Sequence, residues 1–139
     1  MQRTCSSLNG FLVLILTTLL SVSTPGCWAG GGVPPELLKV LQAYRQAVAA
    51  GDSDQVAALS RFPIASNDFG GVIQSPAILR ERFQKIFRPE IVACFADAEP
   101  RQETGFPGYL VVCEDALAFG FEQHNGEYRF SYIDNANAE

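Results

Sequence analysis

The spacing of the apolar residues changes along the chain, from a helical repeat between residues 37 and 87 to alternation in the last third. Near the start of the first region they lie four, three and four positions apart, on one face of a helix: Leu37, Leu41, Tyr44 and Val48. In the last third every second residue is apolar or aromatic, as in strands with one buried face: Leu117/Phe119/Phe121 and Tyr128/Phe130/Tyr132. Helices that come first and strands that come last predict an α+β fold.

Local signals mark the ends of the first two helices. Pro34-Pro35 is typical of a helix start, and Gly51 is typical of a helix C-cap. Asp52, with Gln55 three residues later, resembles a capping box and predicts a second, short helix. We expect the pair Phe62-Pro63 to end that helix.

Two more helices are predicted beyond residue 74. Ser75-Pro76 supplies an N-cap and a proline in the first turn of a third helix. Its apolar stripe recurs at helical spacing: Leu79, Phe83, Ile86 and Phe87. Pro89 ends this helix and can begin a fourth, short one over Glu90–Ala96.

The remaining segments predict strands and turns. Phe62–Ala65 and Gly71–Ile73 flank the turn-like residues 67–70, so we expect a small hairpin at a sheet edge, where a proline is tolerated. Residues 97–108 contain two prolines and no periodicity, which favours a surface loop. Three further strands, the last two joined by the hairpin signal His124-Asn125-Gly126, are Tyr109–Cys113, Ala116–Gln123 and Glu127–Ile133. Together these segments predict helices packed on a curved antiparallel sheet.

The N-terminal 29 residues have the pattern of a secretory signal peptide. One base, Arg3, precedes the apolar run Phe11–Leu20, which is too short to span about 30 Å of hydrocarbon. Cys27-Trp28-Ala29 is a small-x-small ending that predicts cleavage before Gly30. The alternative is lipoprotein processing, with Cys27 lipidated and anchored. The sequence therefore predicts a periplasmic or secreted protein, with no span in the mature chain.

The expected mature chain has 110 residues, enough for one hydrophobic core. Cleavage removes one base and no acid, so the net charge moves from −5 to −6, which disfavours nucleic acid as a partner. The predicted order is a flexible lead-in (30–34), one domain (35–135) and a short tail (136–139).

Two cysteines stay in the mature chain, Cys94 and Cys113. An even pair in an oxidising compartment predicts a disulfide, and two separate buried thiols are the alternative. One histidine and two cysteines do not complete a zinc site, and no cofactor motif is present, so we expect neither a metal nor a cofactor.

The order of elements resembles the NTF2-like superfamily, and in particular small exported bacterial members of unassigned function. The resemblance rests on Phe62-Pro63 after the helical pair, on Ile86-Phe87-Arg88-Pro89-Glu90-Ile91, and on the closing hairpin from Ala118-Phe119 to Ile133. It implies a cone-shaped fold with a pocket. It implies no particular reaction, since the superfamily includes isomerases, dehydratases, hydrolases, and immunity and carrier modules.

No residue stands out as a catalytic group. Enzymatic members of the superfamily place an Asp or His base with tyrosine or acid donors inside the cone. Here His124 is expected in a hairpin tip and Glu114-Asp115 in a surface turn. Asp68 and Asp134 reach the pocket mouth only if the cone closes there. The four tyrosines either line a cavity or pack in the core: Tyr44, Tyr109, Tyr128 and Tyr132.

The predicted interior combines the helical stripes with the inward faces of the strands. Its residues either fill a core or line a pocket open at one end: Leu41, Tyr44, Val48, Leu79, Phe83, Phe119, Phe121 and Phe130. The leading interpretation is a non-catalytic binding domain for a small apolar molecule or a protein. The alternatives are a lyase or isomerase that uses Asp and Tyr, and an immunity or inhibitor protein. The sheet could also pair two copies as a homodimer.

Overall fold

The structure is a computed structural model that describes residues 32–113 and 117–135. The predicted signal peptide, the cleavage site before Gly30, the pair Glu114-Asp115 and the tail 136–139 lie outside the described residues. Over the described ranges, none of the helices combines the length and the apolar character needed to cross a membrane.

The first two helices begin and end at the predicted signals. Helix α1 spans Pro35–Ala50 and ends at Gly51, whose φ of 68° is left-handed, a conformation that glycine adopts readily. Helix α2 spans Ser53–Ala58, and the Asp52 carboxylate accepts a hydrogen bond of 2.9 Å from the N–H of Gln55. The predicted cap at Asp52 is therefore confirmed.

The next two helices follow the same logic. Helix α3 spans Pro76–Ile86, and Ser75 Oγ accepts a hydrogen bond of 3.4 Å from the N–H of Ile78, as an N-cap does. Helix α4 spans Pro89–Asp97, one residue longer than predicted at each end.

Four strands form one sheet in the order β1-β4-β3-β2. They are β1 (Ser60–Ala65), β2 (Tyr109–Val112), β3 (Leu117–His124) and β4 (Glu127–Asn135). The α+β class is confirmed, but the prediction of an antiparallel sheet is wrong, because β1 pairs with β4 in parallel. The long connection between β1 and β4, which contains α3 and α4, allows the chain to return in the same direction.

The predicted hairpin at residues 62–73 is only partly present. Ile64 and Ile73 exchange two main-chain hydrogen bonds of 2.9 and 3.0 Å, but this is an isolated bridge beside β1. The Phe62-Pro63 peptide is cis and lies inside β1, so it does not end α2, which stops at Ala58. Arg82 of α3 contacts the turn between the two segments, because its guanidinium donates a hydrogen bond of 2.9 Å to the oxygen of Gly71.

A bulge in the β3–β4 pairing corrects the predicted alternation. Phe121 pairs with Phe130, but its neighbour Gly120 pairs with Tyr132, so Ser131 is an extra residue in β4. Phe130 therefore faces the core, whereas Tyr132 lies on the opposite face, which we call the outer face of the sheet. A Cβ at Gly120 would lie 2.8 Å from the Cβ of Tyr132, so glycine is required there.

The four helices cover the inner face of the sheet and share one hydrophobic core with it. Cys94 on α4 and Cys113 just after β2 lie at disulfide-bonding distance, with their Cα atoms 5.7 Å apart. That separation is compatible with the predicted disulfide, which would tie α4 to the sheet.

Candidate functional site

The eight predicted pocket residues come together in the interior, and each is at most 4% exposed: Leu41, Tyr44, Val48, Leu79, Phe83, Phe119, Phe121 and Phe130. Aromatic rings meet edge to face at its centre. The ring centroids of Tyr44 and Phe121 lie 5.2 Å apart at 87°, and those of Phe95 and Phe119 lie 5.1 Å apart at 84°. These spacings are those of rings in van der Waals contact.

The hydroxyl of Tyr44 is a polar group inside this apolar interior. Burial raises the pKa of Tyr44 well above its usual value, and the nearby Ser60 hydroxyl lowers it by a smaller amount. Ser60 Oγ donates its proton at 2.6 Å to the oxygen of Val56, and no well-aligned hydrogen bond joins Ser60 to Tyr44. The Tyr44 hydroxyl is thus a neutral, buried group that has no hydrogen-bond partner among the described residues.

A surface groove lies between α1 and the β3–β4 hairpin, with a volume of about 400 Å³. We call it the α1–hairpin groove. Its walls come from α1, from the residue before β1 and from the start of β4: Glu36, Lys39, Val40, Ala43, Leu59 and residues 126–129. Its volume falls in the range of roughly 300–1,000 Å³ that is usual for small-molecule sites.

Charged side chains line both walls of this groove. On β4, Arg129 forms an ion pair of 2.5 Å with Glu127 and donates a hydrogen bond of 2.8 Å to the oxygen of Ala58. On α1, Glu36 and Lys39 form no ion pair within the part of the chain that the structure describes. Two charges on α1 are therefore available to a ligand, whereas those on β4 are already engaged.

Tyr128 adds an aromatic surface to the groove. Its ring meets that of Tyr109 edge to face, with centroids 6.1 Å apart. Burial raises the pKa of Tyr128, and the neighbouring Tyr109 and the negative charge of Glu36 raise it further. Tyr128 therefore presents a neutral hydroxyl beside an apolar ring, which can donate a hydrogen bond.

A second groove, of about 470 Å³, lies between the end of α1, α3 and α4, and we call it the helix groove. Its walls include Ala49, Phe83, Gln84 and Ala93, and none of its lining residues carries a charge. It is therefore of similar size to the α1–hairpin groove but has few polar groups that could orient a ligand.

The carboxylates weighed as catalytic candidates do meet, but at the end of the sheet rather than in the interior. Asp68 Oδ2 accepts a hydrogen bond of 2.8 Å from the N–H of Asn135, and the same N–H lies 3.0 Å from Asp134 Oδ1. Tyr132 donates a hydrogen bond of 3.0 Å to Asp134, while burial, and then Asp134, raise the pKa of Tyr132. Both carboxylates thus accept a hydrogen bond from the main chain of Asn135, the last residue of β4.

His124 is the remaining acid–base candidate that the structure describes. His124 is exposed, as predicted, but it is the last residue of β3 and pairs with Glu127 instead of lying in the turn itself. Among the described residues there is no group of three or more His, Cys, Asp and Glu side chains that could hold a metal ion.

The residues of the α1–hairpin groove were not predicted from the sequence, although part of the signal is present there. Glu36, Lys39, Val40 and Ala43 recur at helical spacing on the flank of the α1 core stripe. A mixed polar and apolar flank is common on any helix, so it indicates a site only when the hairpin is known to face it. In comparisons with protein-family models, with curated proteins and with solved structures, no match to this chain was found.

Proposed function

We propose that this chain is an exported, non-catalytic binding domain, and that it binds a small molecule with an apolar body and a polar end in the α1–hairpin groove. One observation carries the proposal: the predicted interior residues are at most 4% exposed, whereas the groove outside them offers about 400 Å³ and has on one wall two charges that form no ion pair with another described residue. A ligand that entered the interior would have to displace packed aromatic rings, at a cost of several kcal/mol.

The chemistry of the groove defines the expected ligand. Val40, Ala43 and Leu59 provide an apolar surface for the ligand's body. Lys39, Glu36 and Tyr128 also line the groove, and their polar groups can bind the polar end. The helix groove is as large, but it lacks charged groups that would fix a ligand's orientation.

The position of the acidic groups favours binding over catalysis. A lyase or isomerase of the kind considered above needs an Asp near a tyrosine in a water-excluding cavity. Tyr44 is the buried tyrosine, while Asp68 and Asp134 accept hydrogen bonds from the main chain at the end of the sheet. An immunity or inhibitor role needs a protein partner, which the experiment below would reveal.

Export and the NTF2-like fold are part of the proposal. The apolar run Phe11–Leu20 and the ending Cys27-Trp28-Ala29 support cleavage before Gly30. The order of two helices, an edge strand, two helices and three strands supports an NTF2-like arrangement. Intact-mass measurement of the exported protein tests the cleavage site, and a lipid adduct on Cys27 would contradict it.

A pair of alanine-to-arginine variants on α1 tests the binding site. Ala43→Arg blocks the α1–hairpin groove, and Ala49→Arg, on the same helix, blocks the helix groove instead. The readouts are native mass spectrometry of protein recovered from its own host, and titration with the fluorescent amphiphile anilinonaphthalene sulfonate. We expect a copurified small molecule and probe binding in the wild type and in Ala49→Arg, and loss of both in Ala43→Arg.

Three results would contradict the proposal. Equal binding by both variants would place the ligand elsewhere, and loss only in Ala49→Arg would move it to the helix groove. A stoichiometric protein in the native spectrum, with no small molecule, would favour the immunity or docking alternative.

A further inference from the structure

A third concave site lies on the outer face of the sheet, beside the loop 98–108, and we call it the outer pocket. Its volume is about 180 Å³. Arg101 and Glu103 line it from the loop, and Tyr132 and Asp134 line it from β4. Apolar side chains of β2 and β3 complete the lining: Leu110, Val112 and Ala118. The pocket is separate from the α1–hairpin groove and shares none of its lining residues.

The loop that forms one wall is fixed to the sheet. The main chain of Arg101 exchanges hydrogen bonds of 2.9 and 2.8 Å with Leu110 of β2. The ring of Phe106 packs on that of Tyr132, with centroids 5.2 Å apart, above Gly120. A side chain at Gly120 would overlap Phe106, so the close approach of the loop depends on that glycine. The pocket is therefore preorganised, which reduces the entropy cost of binding.

The anionic side of the pocket is also held in place. Asp134 accepts hydrogen bonds of 3.0 Å from the Tyr132 hydroxyl and 3.5 Å from Asn67 Nδ2, besides its contact with the N–H of Asn135. A carboxylate has about four acceptor positions, so one stays available. The Tyr132 oxygen can accept a further hydrogen bond, because its own proton is donated to Asp134.

The cationic side comes from the loop. Arg101 Nη2 lies 2.6 Å from Glu103 Oε1, an ion pair at the surface with both side chains at least 43% exposed. A guanidinium has five N–H donors in a planar fork. The pairing with Glu103 through one nitrogen leaves donors that can bind a second carboxylate.

We propose that the outer pocket binds a small zwitterion of the amino-acid class. The ligand's carboxylate binds Arg101, its ammonium group binds Asp134 and the Tyr132 oxygen, and its apolar carbons lie on Leu110, Val112 and Ala118. A volume of about 180 Å³ suits a small amino acid such as valine or a short ω-amino acid. This inference does not depend on the function proposed above.

The test compares a zwitterion with its singly charged analogues. The mature, ¹⁵N-labelled protein is titrated with L-valine, with isobutyrate and with isobutylamine, and its amide resonances are followed by NMR. We expect L-valine to shift the amides of Arg101, Leu110, Ala118 and Asp134, and each analogue to bind at least about tenfold more weakly, because each lacks one charge-assisted hydrogen bond.

Variants then separate the two charged contacts. Arg101→Gln and Asp134→Asn should each weaken L-valine binding by about tenfold or more, while the exposed controls Arg61→Gln and Asp97→Asn should leave it unchanged. The proposal is overturned if L-valine shifts no amide of the pocket at millimolar concentration. It is equally overturned if isobutyrate or isobutylamine binds as well as L-valine, or if both charge variants bind normally. If these tests fail, the function proposed for the α1–hairpin groove is not contradicted, because neither Arg101 nor Asp134 lines that groove.

Discussion

The guanidinium of Arg45, on α1, donates a hydrogen bond of 3.0 Å from Nε to the main-chain oxygen of Phe95, near the end of α4. Its Nη2 also binds the oxygen of Ala98, the C-cap residue of that helix. The last carbonyls of a helix have no partner within it, and a cation beside them is favoured by the helix dipole. One side chain thus joins α1 to α4 at the point where α4 ends.

Arg45→Met should therefore destabilise the domain by about 1–3 kcal/mol, because it leaves two partly buried carbonyls without a charged donor. Urea unfolding measures this cost. Arg61→Met is the matched control, since Arg61 is exposed on β1, and it should change the free energy of unfolding by less than about 0.5 kcal/mol. Equal effects of the two variants would show that the hydrogen bonds of Arg45 contribute no more to the free energy of unfolding than an exposed arginine does.

Features encoded by a few neighbouring residues were predictable from the sequence. Asp52 and Ser75 cap α2 and α3 as expected, because an N-cap needs only a side-chain oxygen near the next N–H groups. The core stripe of α1 was predictable for the same reason, since helical spacing places Leu37, Leu41, Tyr44 and Val48 on one face.

Features that depend on contacts between distant segments were not predictable. The parallel pairing of β1 with β4 joins Ser60 to Phe130, which are seventy residues apart, and no local pattern encodes it. The bulge at Ser131 moves Tyr132 to the outer face, whereas simple alternation places it beside Phe130. The α1–hairpin groove and the outer pocket are both formed by segments that lie far apart in the sequence. The periodicity of the sequence therefore indicated only the buried interior as a candidate site.

Tyr44→Phe should stabilise the domain by about 1 kcal/mol, because it removes a buried hydroxyl that lacks a hydrogen bond. Tyr132→Phe is the matched comparison. It deletes a hydroxyl that donates to Asp134 and should cost about 0.5–1.5 kcal/mol. Urea unfolding of both variants checks the opposite signs, and a loss of stability in Tyr44→Phe would mean that its hydroxyl has a partner in solution.

The domain should lose stability as the pH rises above about 10. Burial raises the pKa of Tyr44 well above its usual value of 10.0, so the folded state keeps a proton that the unfolded state releases. The folded state then binds more protons than the unfolded state, and the free energy of unfolding falls with increasing pH. Below pH 10 this contribution is fully present.

Unfolding midpoints measured between pH 8 and pH 11 test this sign. Tyr44→Phe removes the group, so its stability should fall less steeply above about pH 10 than that of the wild type. The absorbance of ionised tyrosine at alkaline pH gives a second readout, because Tyr44 should ionise only as the protein unfolds. Identical slopes in the two proteins would rule out Tyr44 as the source of the pH dependence.

Labelling with a thiol reagent after unfolding without reductant should find no free thiol in a protein that begins at Gly30, because Cys94 and Cys113 lie at bonding distance. The paired Cys94→Ser/Cys113→Ser variant should lose about 3 kcal/mol in the chain-entropy description of a loop this long. Two labelled thiols per chain would instead support the alternative of separate cysteines.

Phe119→Ala separates a packed interior from a ligand pocket. Phe119 has no exposed surface and stacks on Phe87 with ring centroids 5.7 Å apart, so its removal from a filled core should cost about 3–5 kcal/mol. Phe83→Ala should cost a similar amount, but Phe83 also lines the helix groove, so a change there has two interpretations. Thermal or urea unfolding gives the cost, and native mass spectrometry gives the retained ligand.

We expect a large loss of stability in Phe119→Ala with ligand retention unchanged in the molecules that remain folded. A cost below about 1 kcal/mol together with a lost ligand would place the binding site inside the domain, and the α1–hairpin groove would then no longer be the favoured site.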